Sequence, residues 1–267
     1  MTAVSAPEAP PSAPSLAVRA GDVLLSEWTK FRSVRSTYWT LLIATVTGLG
    51  GSIIIAVANA NGGKTGLNPV SAIFAAWLEY PVLAVGILGL LTFTAECSSG
   101  QIRTTFTAVP QRLMVLAGKA VVAGAVTLVA GELMAFIAFF ATQAILSGHA
   151  DAVSLSQPGV ARAIVGGGCT LCAVTLLGLG LGAIIRHTAG SVAALPAVLY
   201  LPLLLAVLPS PWNYRIDRFT PVLAASQVVS PHPSGHYFSP GVSIVVLIAW
   251  PAVALIVAGL LINRRDA

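Results

Sequence analysis

Charged side chains are scarce in this chain. Asp, Glu, Lys and Arg together make up 9% of its 267 residues, whereas about 25% is usual for a soluble domain. Hydrophobic residues make up 56%, and the mean hydropathy is +0.88. A water-soluble fold cannot hide this much apolar side chain. The shortage of charge therefore excludes such a fold and indicates that the bilayer is the solvent.

Cysteine and histidine are also rare, with three and four residues. Cys169 and Cys172 form a C-x-x-C, but within a Gly/Leu-rich apolar segment and without a βαβ context, which favours packing over redox chemistry. His232 and His236 are four residues apart in a loop. The proline, serine and glycine between them disfavour a helix that would align the two rings, so we predict no metal site.

A complete phosphate-binding loop is missing. The string Gly62-Gly63-Lys64-Thr65 resembles the end of one, but the pattern requires a glycine five positions before Gly63, where Ala58 stands. We also find no convincing catalytic set of side chains. The sequence therefore predicts a chain that binds no cofactor itself and is not an ATPase or another enzyme.

Long apolar segments are what the chain has in abundance. Six of them approach the roughly 20 residues needed to cross a hydrocarbon core; they lie near 40–60, 74–95, 119–140, 163–185, 188–208 and 242–262. We predict an all-α polytopic membrane protein with one six-span transmembrane domain over 39–265. Residues 1–17, rich in Ala, Pro and Ser, are predicted to be a disordered tail.

The basic residues predict the orientation of these spans. Ten of the 14 Lys and Arg residues fall on one side of the six-span arrangement and four on the other, so the positive-inside rule places both termini in the cytoplasm. The basic residues border apolar segments rather than covering one soluble face. The net charge of +5 is thus explained by membrane orientation, and we expect no nucleic-acid partner.

Residues 18–38, before the first span, are predicted to form an amphipathic helix on the membrane surface. The apolar side chains gather on one helical face: Leu24, Trp28, Phe31 and Tyr38. Most charged side chains are expected on the other faces: Asp22, Glu27, Lys30 and Arg32. Lys30, Arg32 and Arg35 suit anionic lipid headgroups.

A compact polar segment separates the second and third spans. From Gly100 to Val109, the apolar residues Ile102, Phe106 and Val109 share one face of a short predicted helix, which Pro110 ends. A short cytoplasmic helix tied to two spans can enter a groove on another protein. We therefore predict a docking element with these three side chains as its contact face.

Charged residues flank this helix. Glu96 is placed to pair with Arg103 or with a basic residue of a partner, and Arg112 and Lys119 are expected to anchor the next span at the headgroups. Glu96 and Arg103 are thus predicted to act as a polar latch.

Two features inside the spans stand out. Glu132 lies near the middle of the third span, where a carboxylate is costly and usually faces a bundle interior or a wet cavity. It is either part of a substrate path or held by an interhelical hydrogen bond, near Thr127 or Gln143. Gly178 and Gly182 form a G-x-x-x-G, which we expect to pack within the chain.

Four stretches of the chain, together with the six-span layout, resemble the ABC-2 family of membrane permease subunits. They are Glu27-Trp-Thr-Lys-Phe-Arg-Ser-Val-Arg-Ser-Thr-Tyr-Trp39, Glu96-x-x-x-Gly100-x-Ile-Arg103-Thr-Thr, Pro110-x-Arg112 and Lys119. The first is typical of bacterial, actinobacterial-looking members. The resemblance covers nearly the whole chain after the tail, although Gln101 stands where many relatives have threonine.

The resemblance implies an architecture and a set of partners. Residues 18–38 would be an elbow helix, the polar segment a coupling helix, and the loop between spans five and six would carry re-entrant helices. Two permease subunits, identical or different, would pair with two cytoplasmic ATPase subunits that use ATP and Mg. The coupling residues would be Glu96, Gly100, Ile102, Arg103, Phe106, Val109, Pro110 and Arg112.

The function expected on this basis is export of a hydrophobic or amphipathic compound, such as a drug, an antibiotic or a lipid, across the plasma membrane. Two alternatives remain open. One is a proton-coupled secondary carrier that uses Glu132, and the other is a non-transporting membrane scaffold or sensor subunit.

Overall fold

The helical order of the chain follows from its apolar runs and from the breaks between them. A computed structural model describes residues 16–62, 76, 79–109, 111–148, 153–201, 207, 209, 212–233 and 235–264. Within these ranges the structure is helical and has no β-strand. The helices are α1 Leu16–Ser33, α2 Arg35–Ala60, α3 Tyr80–Ser98, α4 Gln101–Ala108, α5 Arg112–Leu146, α6 Val160–Ile185, α7 Thr188–Tyr200, α8 Trp212–Asp217, α9 Pro221–Val229 and α10 Pro240–Arg264.

Five of the described helices, namely α2, α3, α5, α6 and α10, are long and apolar enough to cross a membrane. They confirm the prediction of an all-α, multi-pass membrane protein. The predicted fifth span, 188–208, corresponds to α7, which has 13 residues. Residues 202–206 and 208 lie outside the described part, so a sixth span and the side on which the termini lie stay predictions.

The helix boundaries correct the predicted ones in two places. The predicted surface helix over 18–38 is interrupted at Val34, whose backbone is extended (φ −83°, ψ 118°). Arg35 and Tyr38 therefore belong to α2. The third predicted span, 119–140, lies within α5, whose 35 residues extend about 52 Å and exceed the ~30 Å core.

Helix α6 forms the centre of the bundle. In its most apolar stretch 67% of the residues are buried, compared with 22% in α2 and 28% in α10. It packs against α3, α5 and α10 along its length, while α2 packs against α3 and α5. The outward side chains of α2 and α10 are large and apolar, for example Ile54 and Val245, as lipid contact requires.

Small residues bring α3 and α6 into close contact. A Cβ added to Gly89 would overlap the Thr175 carbonyl oxygen, and one added to Gly178 would overlap that of Gly86. A Cβ at Gly182 would lie 2.8 Å from the Leu90 carbonyl oxygen. The Gly178/Gly182 motif therefore serves packing within the chain, as predicted, since backbones approach this closely only where side chains are absent.

The chain between α7 and α10 forms two short helices, α8 and α9, in the region where re-entrant helices were expected. Thr220 caps α9 by accepting a hydrogen bond from the Leu223 amide at 3.3 Å. The guanidinium of Arg218 lies 4.7 Å from the Phe238 ring centroid, and Trp250 of α10 donates to the Phe219 carbonyl oxygen at 2.9 Å. These contacts hold the loop against α10.

Several predictions concern residues outside the described part. These are residues 1–15 of the predicted tail, whose last two residues begin α1, the start of the second predicted span, Gly63 to Thr65 of the phosphate-loop-like string, and Pro110.

Candidate functional site at the turn between α3 and α5

The polar segment forms the short helix that the sequence predicts. Gly100 stands at the N-terminal boundary of α4 with φ +73°, a left-handed conformation that glycine adopts without strain. It turns the chain sharply from α3 into α4. Helix α4 covers Gln101–Ala108 and ends at Val109, whose backbone is extended.

The apolar face of α4 points into the chain. Ile102 and Phe106 are 9% and 8% exposed, and Val109 packs beside them. They join an apolar cluster with residues of α3, α5, α6 and α10: Phe93, Val115, Leu116, Leu179, Ala183, Ala258 and Ile262. The three side chains predicted as a contact face are thus occupied within this chain, while Gln101, Arg103, Thr104 and Thr107 are exposed.

Arg112 fixes the end of this arrangement. Its Nη1 donates a 3.0 Å hydrogen bond to the Ile262 carbonyl oxygen near the end of α10. The same guanidinium lies 5.3 Å from the centroid of the Phe106 ring, a distance suited to a cation–π contact. Arg112 therefore links α4, α5 and α10.

Four charged residues form a cluster behind α4, which we call the charge cluster: Glu27, Lys30, Glu96 and Lys119. Lys119 Nζ lies 2.6 Å from Glu96 Oε1 and 2.8 Å from Glu27 Oε2. Lys30 Nζ lies 2.9 Å from Glu27 Oε1 and 3.0 Å from Glu96 Oε1. The two amines and two carboxylates alternate around a closed ring that joins α1, α3 and α5.

The charge cluster is shielded from solvent except at Lys30. Glu27, Glu96 and Lys119 are 5%, 7% and 3% exposed, whereas the Lys30 side chain is 42% exposed. Burial by itself lowers the pKa of Lys30, but hydrogen bonds and charge attraction from Glu27 and Glu96 outweigh it and raise the pKa above 10.5. Lys30 Nζ also reaches Thr105 Oγ1 at 3.5 Å, which ties α1 to α4.

The charge cluster corrects three predictions. Glu96 pairs with Lys30 and Lys119 rather than with Arg103, which is exposed. Lys119 is buried and does not reach headgroups, and Glu27 lies on the buried face of α1 rather than on a polar one. Lys119 and its two carboxylate partners are distant in sequence, so only the packing of α1, α3 and α5 brings them together. A lysine inside an apolar helix was the available signal, because such a charge requires a carboxylate nearby.

Helix α1 packs closely on α5. A Cβ at Gly118 would lie 2.8 Å from Val23 Cγ1. Phe31 is buried and Leu24 half-buried in a cluster with Leu88 and Val122. The predicted apolar face is therefore only partly shared with the bundle, because Trp28 of α1 and Tyr38 of α2 are exposed. Arg32 of α1 and Arg35 of α2 are exposed as well.

A cavity of about 450 Å³ lies beside the charge cluster, between the α1–α2 junction and α3. We call it the elbow cavity. Its apolar wall contains Phe31, Leu88, Leu91 and Val122, and its charged wall is the charge cluster. Sequence reasoning did not predict it, because it depends on the angle between α1 and α3.

Glu132 lies on α5 against α6. A Cβ added to Gly168 would be 2.5 Å from Glu132 Oε1, so the carboxyl group occupies the space that this glycine leaves. Its buried Oε2 has no hydrogen-bond partner among the described residues. Thr127 donates to the Ala123 carbonyl oxygen, and Gln143 accepts from the Val153 amide, so neither contacts Glu132 as proposed.

The described residues hold no group of three or more His, Cys, Asp or Glu side chains that could bind a metal ion. The three cysteines are free thiols. No protein-family model matches the chain, and no curated protein matches it significantly.

Proposed function

We propose that this chain is the transmembrane permease subunit of an ABC-2 type transporter. It would use a separate cytoplasmic ATPase to export a hydrophobic or amphipathic compound across the plasma membrane. In this proposal both termini are cytoplasmic, residues 188–208 supply a sixth span, and two such subunits assemble with two ATPase subunits.

The observation that carries the proposal is the way α4 is built into the bundle. Its buried Ile102 and Phe106 rest on four of the long helices, and Lys30 links it to α1 through Thr105. A force on the exposed side of α4 must therefore move several spans together, because a close-packed interior transmits displacement. This is the property that a coupling helix requires.

The same geometry changes which residues are expected to meet the ATPase. Arg103, Thr104 and Thr107 are exposed on α4, whereas Phe106 supports the helix from inside. Phe106→Asp would place a charge in an apolar cluster and damage the fold, so it does not test docking by itself. Substitutions of the exposed residues do.

The experiment is to co-express the full chain with a P-loop ATPase encoded beside its gene, purify the complex and measure ATP hydrolysis in vesicles. We expect the ATPase to co-purify and to be stimulated by the permease. Arg103→Glu and Thr104→Arg should each reduce this stimulation about tenfold or more, as loss of interface contacts of 1.4 kcal/mol or more implies.

Two controls separate docking from folding. Arg32→Glu makes the same charge change on an exposed part of α1 and should leave the stimulation intact, and Arg103→Lys should restore most of it. If both α4 variants associate with the ATPase and stimulate it normally, the docking role of α4 is refuted.

A second proposal concerns Glu132. Its unpartnered buried Oε2 at the contact of α5 with α6 favours a role in a substrate or proton path, since such groups in spans are usually functional. Glu132→Leu should then abolish transport while the protein still folds and binds its ATPase. If this variant transports normally, Glu132 has no role in the substrate or proton path. The alternative of a proton-coupled carrier then loses its support as well.

A further inference from the structure

The elbow cavity has the size and the two-sided lining of a ligand site. Its volume of about 450 Å³ lies within the range of roughly 300–1,000 Å³ typical of small-molecule pockets. One wall is apolar and consists of Phe31 of α1 and residues of the span helices α3 and α5, and the other is charged. A molecule that fills it must therefore be amphipathic.

The charge cluster offers hydrogen-bond acceptors to the cavity rather than free donors. Three of its hydroxyl groups donate to the backbone of their own helices: Ser33 to the Lys30 carbonyl oxygen, Thr92 to that of Gly89 and Ser99 to that of Ala95. The amine of Lys30 is directed at two carboxylates and Thr105, and Lys119 is buried behind the same carboxylates. An anionic ligand would find few donors available at the charge cluster, and the other donor-bearing side chains of the wall are Ser36, Thr37 and Gln101.

The carboxylates, by contrast, have acceptor capacity to spare. A carboxylate can accept about four hydrogen bonds. Glu96 Oε1 accepts two, from Lys30 and Lys119, while its buried Oε2 has no partner among the described residues. Glu96 is 7% exposed and lines the cavity. A buried carboxylate oxygen without a donor is costly, and a ligand that donates a hydrogen bond would remove that cost.

We propose that the elbow cavity binds an amphipathic molecule with a primary ammonium head and an apolar tail. The ammonium donates a charge-assisted hydrogen bond to the carboxylate of Glu96, which lines the cavity. The tail lies along Leu88, Leu91 and Val122. The site belongs to this chain alone and does not depend on an ATPase partner, so it can be tested without ATP and can fail or succeed independently of the transport proposal.

Two sources can supply this chemistry, a membrane phospholipid with an ethanolamine head or a soluble alkylammonium. Each has a matched compound that keeps the positive charge but has no N–H group. Phosphatidylcholine matches phosphatidylethanolamine, and dodecyltrimethylammonium matches dodecylammonium. The comparison within each pair tests the hydrogen bond to Glu96, and the Glu96→Gln variant separates that bond from the effect of the larger trimethylated head.

The experiment reconstitutes the full chain in vesicles with equal amounts of the two phospholipids, extracts it gently and measures the retained lipids by mass spectrometry. Binding of the two alkylammonium compounds is measured on delipidated protein. We expect roughly tenfold or greater preference for the N–H-bearing member of a pair, as one charged hydrogen bond provides. Preference in the lipid pair identifies a membrane lipid, and preference in the alkylammonium pair alone identifies a soluble ligand.

Ala95→Leu fills the cavity from an exposed position that lines it and is not a member of the charge cluster. It should abolish the retention, whereas Ala117→Leu, an equal change at an exposed position of α5 outside the cavity, should not. Glu96→Gln should remove the preference within each pair. The proposal is overturned if neither pair is distinguished, or if Ala95→Leu leaves the discrimination intact.

Discussion

Removal of the buried amine of Lys119 should destabilise the chain strongly. Lys119→Met keeps the length and most of the apolar stem of the side chain but removes its charge. The carboxylates of Glu27 and Glu96, which Lys119 Nζ contacts at 2.8 and 2.6 Å, would then share only Lys30, whose side chain is 42% exposed. Loss of one partner of a buried ion pair costs about 3–5 kcal/mol.

The measurement is the free energy of unfolding in mixed micelles, at rising concentrations of a denaturing detergent. A loss of that size lowers the folding equilibrium constant by roughly 100- to 4,000-fold. The control is the triple variant Glu27→Gln/Glu96→Gln/Lys119→Met, which removes both carboxylates together with the amine. It should recover most of the stability, because the charge that remains is on Lys30, whose side chain is 42% exposed, and no fully buried charge is left uncompensated.

The reasoning is refuted by either of two results. One is that Lys119→Met stays within about 0.5 kcal/mol of the unsubstituted chain, the range of an ordinary surface change. The other is that the triple variant is as unstable as the single one, since packing rather than charge would then explain the loss.

Other predictions concern the close helix contacts and the rest of the site. Gly89→Ala should cost about 1–3 kcal/mol of unfolding free energy because its Cβ overlaps a carbonyl oxygen of α6. Gly50→Ala, whose Cβ meets no atom of the described residues within 4 Å, should be neutral or stabilising by up to about 1 kcal/mol. Equal effects of the two changes would contradict the close contact. The pKa of Lys30 is raised on folding, so its contribution to stability should be constant between neutral pH and about pH 9.5 and be lost as the pH rises past 10.5 and through the folded value. On the alkaline side, the unfolding free energies of the wild type and Lys30→Gln should therefore converge only above that range. Convergence near neutral pH would show that the ion pairs are not formed. Arg112→Lys should lower stability by about 1–2 kcal/mol through loss of the contacts with Phe106 and Ile262, and thermal unfolding that matches the wild type would show that these contacts contribute nothing.

Local patterns were sufficient to predict most helices. Pattern and glycine placement predicted α4 to within one residue at each end, because Gly100 and the spacing of Ile102 and Phe106 act within a single turn or two. The same spacing did not determine whether the apolar face of α4 points into the chain or away from it. The face turns inward because α3, α5, α6 and α10 converge above it.

Composition alone determined that the bilayer is the solvent of this chain, and the runs of apolar residues determined which segments become its long helices. Only the tertiary structure decided where the few charges go. Glu27, Glu96 and Lys119 each appeared suited to water, headgroups or a partner, yet α1 packs on α5 beside α3 and closes them into one ring. The physical reason is that a charge removed from water must find its opposite charge, and helix packing, which brings together residues far apart in sequence, determines which residue that is.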